Sequence, residues 1–217
     1  MIGGRDIFVF GCGGHAKVVT MVIKSAGTHE IRGYVDVRPE MPDFRSAPVI
    51  EEDHFYESYR NVDIFVAVGD NDVRKKITVA AMEKGDYGLP TFVHPSAHIG
   101  DGVTLGNGVL VLPHAVINDD ARVGNCCVLS SGSVVEHNSV LEDFVSLAAS
   151  STVSGGCHIG LHTYIGAGAV VRNGIRIGQD CVVGCGAAVV SNIESGRVYA
   201  GVPAKELKRR EFGDTYL

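Results

Sequence analysis

His137 stands alone between Glu136 and Asn138 in the stretch GSVVEHNSVLEDFVSLAASSTVSGG, residues 132–156. An imidazole titrating near ~6.5 can take a proton from an ammonium or hydroxyl group near neutral pH. Such a base needs a group that fixes its ring. Asn138 offers an amide oxygen, which selects a tautomer without adding charge. Asp119, eighteen residues earlier, offers a carboxylate. A second stretch with chemical potential is RDIFVFGCGGHAKVV, where an apolar strand runs through a glycine turn into a helical pattern. Gly13 and Gly14 place backbone N–H groups at a helix start, which is an anion site by construction. The pattern departs from GxGxxG because residue 16 is Ala; GxGxxA keeps a nicotinamide reading open. The half-sheet is small for a dinucleotide, and a mononucleotide diphosphate fits better. Asp36, at the end of the strand IRGYVD, is placed for a ribose or base contact. The plain alternatives are a solvated histidine and glycines that only make a turn.

These residues are positioned by two kinds of element. From Ile99 to Val189, sixteen positions spaced by six are all aliphatic. Four residues after each lies a mostly small series that includes Ala115, Cys127, Ser133, Ser139, Cys157, Thr163 and Cys181. One large and one small inward residue per short strand predicts a hexapeptide β-helix, with three hexads to a coil. His137 falls two positions after Val135 and therefore points outward near a corner. Asp119 occupies the same slot one coil away, and adjacent strands are ~4.8 Å apart. That spacing brings Asp119 within reach of the histidine.

The first half alternates strands and helices: Ile7–Phe10, a helix with Val18, Val19, Val22 and Ile23 inward, IRGYVD, DIFVAVGD, and the helix NDVRKKITVAAMEKG. This predicts a small parallel α/β sheet. The expected organisation is a Rossmann-like nucleotide-binding domain over 1–93, a β-helix over 94–196 and a capping tail over 197–217.

The 217 residues are 45% hydrophobic and 20% charged, so the chain is globular. A net charge of −6 argues against nucleic-acid or membrane-surface partners. The segment MIGGRDIFVFGCGG lacks signal-peptide regions, and no apolar run approaches the ~18 residues a bilayer span needs. A cytoplasmic protein is expected. None of the six cysteines forms a CxxC pair, so they read as small apolar filler. His94, His98, His114, His158 and His162 are scattered surface residues, and no metal site is assigned.

Together FGCGGHAKVV, VAVGDNDVRKKI, FVHPSAHIG, VVEHN and YAGVPAKELK, in that order, resemble the NeuD/PglD sugar acyltransferase family over nearly the whole chain. The resemblance implies a left-handed β-helix, a homotrimer with active sites between neighbouring helices, and acetyl-CoA as co-substrate. Family members acetylate amino sugars on nucleotide carriers, or sialic acids. It implies His137 as general base. It implies nucleotide-sugar contacts at Gly13, Gly14, His15, Asp36 and Gly69. It places acetyl-CoA near Ser146, Gly155, Ala167 and Cys185, with the GVPAK tail closing the helix. The basic residues Lys205, Lys208, Arg209 and Arg210 then meet CoA phosphates or only solvent. Two positions depart from the N-acetyltransferase pattern: Asn138 where an acidic residue is usual, and Ser146 where a histidine is common. The expectation is an acetyl-CoA-dependent N-acetyltransferase of a nucleotide-linked amino sugar. O-acetylation of sialic acid and a non-catalytic nucleotide-sugar scaffold stay open.

Overall fold

The computed structural model describes residues 5–211 and 213–214. Residues 1–4, 212 and 215–217, which the expected domain limits include, lie outside the described residues. The chain divides into two compact units, Met1–Phe92 and Val93–Leu217.

In the first unit, β1 (Arg5–Phe10), α1 (Gly14–Ala26) and β2 (His29–Asp36) form a parallel crossover. A hairpin of β3 (Asp43–Phe44) and β4 (Ala47–Glu51) follows, then α2 (Glu52–Ser58), β5 (Asp63–Val66) and α3 (Asn71–Lys84). The sheet order is β3-β4-β2-β1-β5. β1 is buried over Ile7–Phe10, as a central strand covered on both faces must be. From β1 the chain passes to one side through β2 and returns on the other through β5. A crevice therefore opens at the carboxyl ends of β1 and β5, the topological switch point. α1 buries Ala16, Val19, Thr20, Val22 and Ile23. Phe8, Phe10, Phe55, Tyr56, Ile64 and Tyr87 build an aromatic-rich core.

Gly11 turns the chain out of β1. Its φ is +107°, and a Cβ there would lie 3.2 Å from the Ala67 carbonyl oxygen. Only glycine tolerates both conditions. Gly13 and Gly14 have open space around them. The first glycine thus carries the backbone demand of the turn, and the next two leave room above it.

The second unit is a parallel β-helix of two-residue strands. One sheet includes Leu110–Val111, Val128–Leu129, Ser146–Leu147, Tyr164–Ile165 and Val182–Val183. The second stacks His98–Ile99, Val116–Ile117, Val134–Val135, Thr152–Val153, Val170–Val171 and Ala188–Val189. The third stacks Thr104–Leu105, Arg122–Val123, Val140–Leu141, His158–Ile159 and Arg176–Ile177. Each strand pairs with the one eighteen residues on, as Val134 does with Val116 and Thr152. Both inward series pack into one continuous core from Val109 to Ile193. Arg197–Ala200 extends the first sheet beside Val182–Val183, and Lys205–Arg209 returns antiparallel to it.

The inward cysteines do more than fill space. Cys127 Sγ donates to the Glu142 carbonyl at 3.1 Å and Cys157 Sγ to the Arg172 carbonyl at 3.2 Å. Ser139 and Thr163 use their hydroxyls in the same way, on the Ser154 and Gly178 carbonyls at 2.9 and 2.8 Å. These groups satisfy corner carbonyls that no strand reaches. Burial raises the pKa of the Cys157 and Cys181 thiols, which keeps them protonated donors.

At each corner, the second turn residue takes a positive φ, among them Asp120, Cys126, Asn138, Phe144 and Asp180. The first turn residue is often an Asx that reaches back one coil. Asp119 Oδ1 accepts from Asp101 N–H at 2.9 Å, and Asn125 Oδ1 from Asn107 N–H at 2.9 Å. Among the described residues, no helix is long and apolar enough to cross a membrane.

Candidate functional site

The first unit presents its crevice with unused polar groups. Gly13 is the N-cap of α1, supplies no side-chain cap, and no acid sits in the first turn. The leading N–H groups of the helix are therefore available to an anion. His15, the second helical residue, has a buried Nε2 with no hydrogen-bond partner. Burial, and then the Arg74 charge, push its pKa down from 6.5 to about 4. The ring is neutral at physiological pH and keeps both a donor and an acceptor.

Arg74 is a residue the motif reading passed over. It is buried, with Nη1 donating to the Val68 and Gly69 carbonyls, each at 3.1 Å, and Nη2 to Asn71 Oδ1 at 2.8 Å. It holds the loop of Gly69 as a shaped wall. Asp70 caps α3 by accepting from the Asp72 and Val73 N–H groups, each at 3.0 Å. Asp36 accepts from Arg38 N–H at 3.1 Å and lines two recesses. One, of about 300 Å³, includes Cys12, Arg38, Met41 and Val49. The other, of about 170 Å³, includes Gly11, Glu52, Val68 and Ile77. Burial, and then Asp36, raise the Cys12 thiol to about 11, which keeps it protonated near neutral pH. The structure thus gathers Gly13, Gly14 and His15 at one helix start, and Asp36 at the neighbouring strand end.

In the second unit, His137 and Asn138 form the corner between the second and third sheets. Both are exposed. His137 Nδ1 lies 3.0 Å from Asn138 Oδ1. An amide oxygen only accepts, so this contact places the proton on Nδ1 and leaves the Nε2 lone pair bare. Asn138 has φ +60°, the left-handed conformation that asparagine tolerates better than most side chains. The ring lies over Gly155, one coil on: a Cβ there would sit 2.7 Å from Nε2. The Gly155 N–H has no hydrogen-bond partner among the described residues.

Asp119 does not take the role expected of it. Its carboxylate turns away from His137 to the Asp101 N–H, as the corner Asx ladder requires. What it gives the histidine's corner is a carbonyl, which accepts from Asn138 N–H at 3.1 Å. The remaining residues lie elsewhere on the prism. Ala167 and Cys185 are stacked and exposed at the corner between the first and second sheets, with Gly186 N–H on the Ala167 carbonyl at 2.8 Å. Ser146 is a buried strand residue of the first sheet. One chain therefore holds His137, Asn138 and Gly155 together, and separates them from Ala167 and Cys185 by the width of the second sheet. A larger cleft, of about 570 Å³, lies against the third sheet and contains none of these residues. It holds a His158 Nε2–Glu142 Oε1 pair at 2.6 Å.

Residues 6–80 match the PglD N-terminal domain family. The acetyltransferase domain of PglB from Neisseria gonorrhoeae, solved with acetyl coenzyme A, is 33% identical at a TM-score of 0.88; the match covers 94% of this chain and 100% of that one. A variant of perosamine N-acetyltransferase from Caulobacter crescentus, solved with CoA and GDP-perosamine, is 33% identical at a TM-score of 0.87, covering 96% and 98%. The chain belongs to the NeuD/PglD-type sugar acyltransferase family. Members of this family are acyltransferases, and so is this chain. WeeI from Acinetobacter baumannii, 24% identical at a TM-score of 0.82 with 93% and 99% covered, shares the fold. No curated protein matches the chain significantly.

Two outcomes follow from the two loci. Replacing Gly155 with Ala puts a methyl group where the imidazole lies, so Gly155→Ala lowers acyl transfer by at least about tenfold while the melting temperature moves little. Steady-state kinetics beside a thermal melt checks this. His15 has a lowered folded pKa, so the unfolded chain binds the extra proton between 6.5 and about 4. Stability is fully present above 6.5 and is lost as pH falls towards 4. His15→Gln flattens that part of the Tm-against-pH curve.

Proposed function

We propose that the chain moves the acetyl group of acetyl-CoA onto the amino group of a nucleotide-linked amino sugar, with His137 Nε2 as general base. The observation that carries this is the setting of His137: Nδ1 held by Asn138 at 3.0 Å, and Nε2 bare above Gly155. The nucleotide diphosphate belongs at Gly13, Gly14 and His15, with its ribose at Asp36. The sugar amine attacks the thioester carbonyl as Nε2 takes its proton. The Gly155 N–H faces the charge that develops on the carbonyl oxygen. The tetrahedral adduct collapses, the C–S bond breaks, and the imidazolium returns the proton to the leaving sulfur. The products are an acetamido sugar and free CoA. The relatives solved with acetyl-CoA and with GDP-perosamine support both substrate classes.

The chain acts as a homotrimer in this reading. Four of the six outward residues of the second sheet, Val116, Val134, Val170 and Ala188, are apolar, with His98 at one end and Thr152 between Val134 and Val170, and Val170 is 46% exposed. That face lies between the His137 corner and the Ala167–Cys185 corner. Packing against a second copy covers it and brings one chain's histidine corner to the other corner of its neighbour. Acetyl-CoA then lies along Gly155 of one chain and Ala167 and Cys185 of another, with Ser146 nearby.

A thiol-release assay with acetyl-CoA and a panel of UDP- and GDP-linked amino sugars, with sialic acid as the hydroxyl acceptor, tests the reading. CoA release is expected with an amino sugar, and His137→Ala is expected to lower kcat at least about 100-fold with nucleotide affinity unchanged. Undiminished release by His137→Ala contradicts the mechanism. Nucleotide binding without release on any acceptor favours a scaffold.

A further inference from the structure

The recess of about 170 Å³ beside Gly11 has aliphatic and aromatic walls, Phe10, Val37, Val68 and Ile77 among them. Two carboxylates line it, Asp36 from the end of β2 and Glu52 from the start of α2. The Tyr56 hydroxyl donates to Glu52 Oε1 at 3.0 Å, which fixes that side chain. Neither carboxylate has a cationic side-chain partner among the described residues. Apolar walls accept a flat ring, and an ionised carboxylate offers acceptors only.

We infer that Glu52 reads the nucleobase of the nucleotide sugar, and that the base is guanine. The inference rests on the nucleotide-sugar reading of the same crevice. With Asp36 on the ribose, a base extending into the recess brings its hydrogen-bonding edge to Glu52. Guanine alone among the common bases offers a ring N–H and an amino group side by side, matching both oxygens of one carboxylate. Uracil and thymine offer a single N–H between two carbonyls, which face the carboxylate with like charge. Adenine offers an amino group beside a bare ring nitrogen. A paired, charge-assisted contact of this kind discriminates by about tenfold or more. The fold puts Glu52 there because β4 runs parallel to β2 with Glu51 opposite Asp36, and α2 begins at the next residue.

Calorimetric titration of the full chain with GDP, UDP and ADP tests this. GDP is expected to bind at least about tenfold more tightly than UDP or ADP. Glu52→Gln is expected to remove most of that advantage by weakening GDP while UDP binds no more weakly than before, and the retained UDP binding also shows that the variant is folded. UDP binding as tightly as GDP overturns the guanine assignment and leaves the nucleotide reading standing. A GDP preference that survives Glu52→Gln overturns the role of Glu52. No binding of any nucleotide overturns both this inference and the reading beneath it.

Discussion

The second unit depends on one constraint, the hydrogen-bonded stacking of coils at an eighteen-residue interval. At the histidine's corner, Asn138 N–H bonds to the Asp119 carbonyl at 3.1 Å and Gly156 N–H to the His137 carbonyl at 3.0 Å. These two bonds fix the backbone on both sides of the turn. The inward Val135 and Ser139 are buried, so the corner cannot shift without disturbing the core. The imidazole is thereby held on a scaffold whose strands are only two residues long but whose register is repeated coil after coil. Preorganisation of this kind is what a positioned base requires.

The same constraint explains an amide beside His137. The second turn residue must take a positive φ, and asparagine does so readily. Its side chain then turns to Nδ1 and orients the ring without bringing a charge. A neutral orienter gives tautomer control but less stabilisation of the imidazolium than a carboxylate gives. Asp119 Oδ1 is directed to the Asp101 N–H one coil back, on the opposite side from the coil that carries His137. In the first unit, the corresponding constraint is Gly11, whose close approach to the Ala67 carbonyl sets the turn that exposes the start of α1.

Much of the fold was legible in the residues, because a hexad period survives in the sequence as sixteen aliphatic positions in a row. The strands and helices at β1, α1, β2, β5 and α3 were legible for similar reasons. β3, β4 and α2 were not: the first is two residues long, the second shows no clean alternation of burial, and α2 is only seven residues. The direction of the Asp119 side chain was also invisible, since periodicity gives a slot and not a rotamer. Arg74 looks in sequence like its neighbours Lys75 and Lys76. Only the fold shows that it is buried and that loop carbonyls accept its protons. The cysteines were placed inward by spacing, but their work as thiol donors depends on corner carbonyls that spacing does not reveal.

The central claim is that Asn138 fixes His137 with the proton on Nδ1 and the lone pair on Nε2. Nitrogen NMR of the chain labelled in histidine, with the His137 signals assigned by their loss in His137→Gln, reads this directly. In the neutral ring, Nδ1 should carry the proton and Nε2 should be bare, and Asn138→Ala should abolish the preference. A neutral His137 protonated at Nε2 would contradict the account.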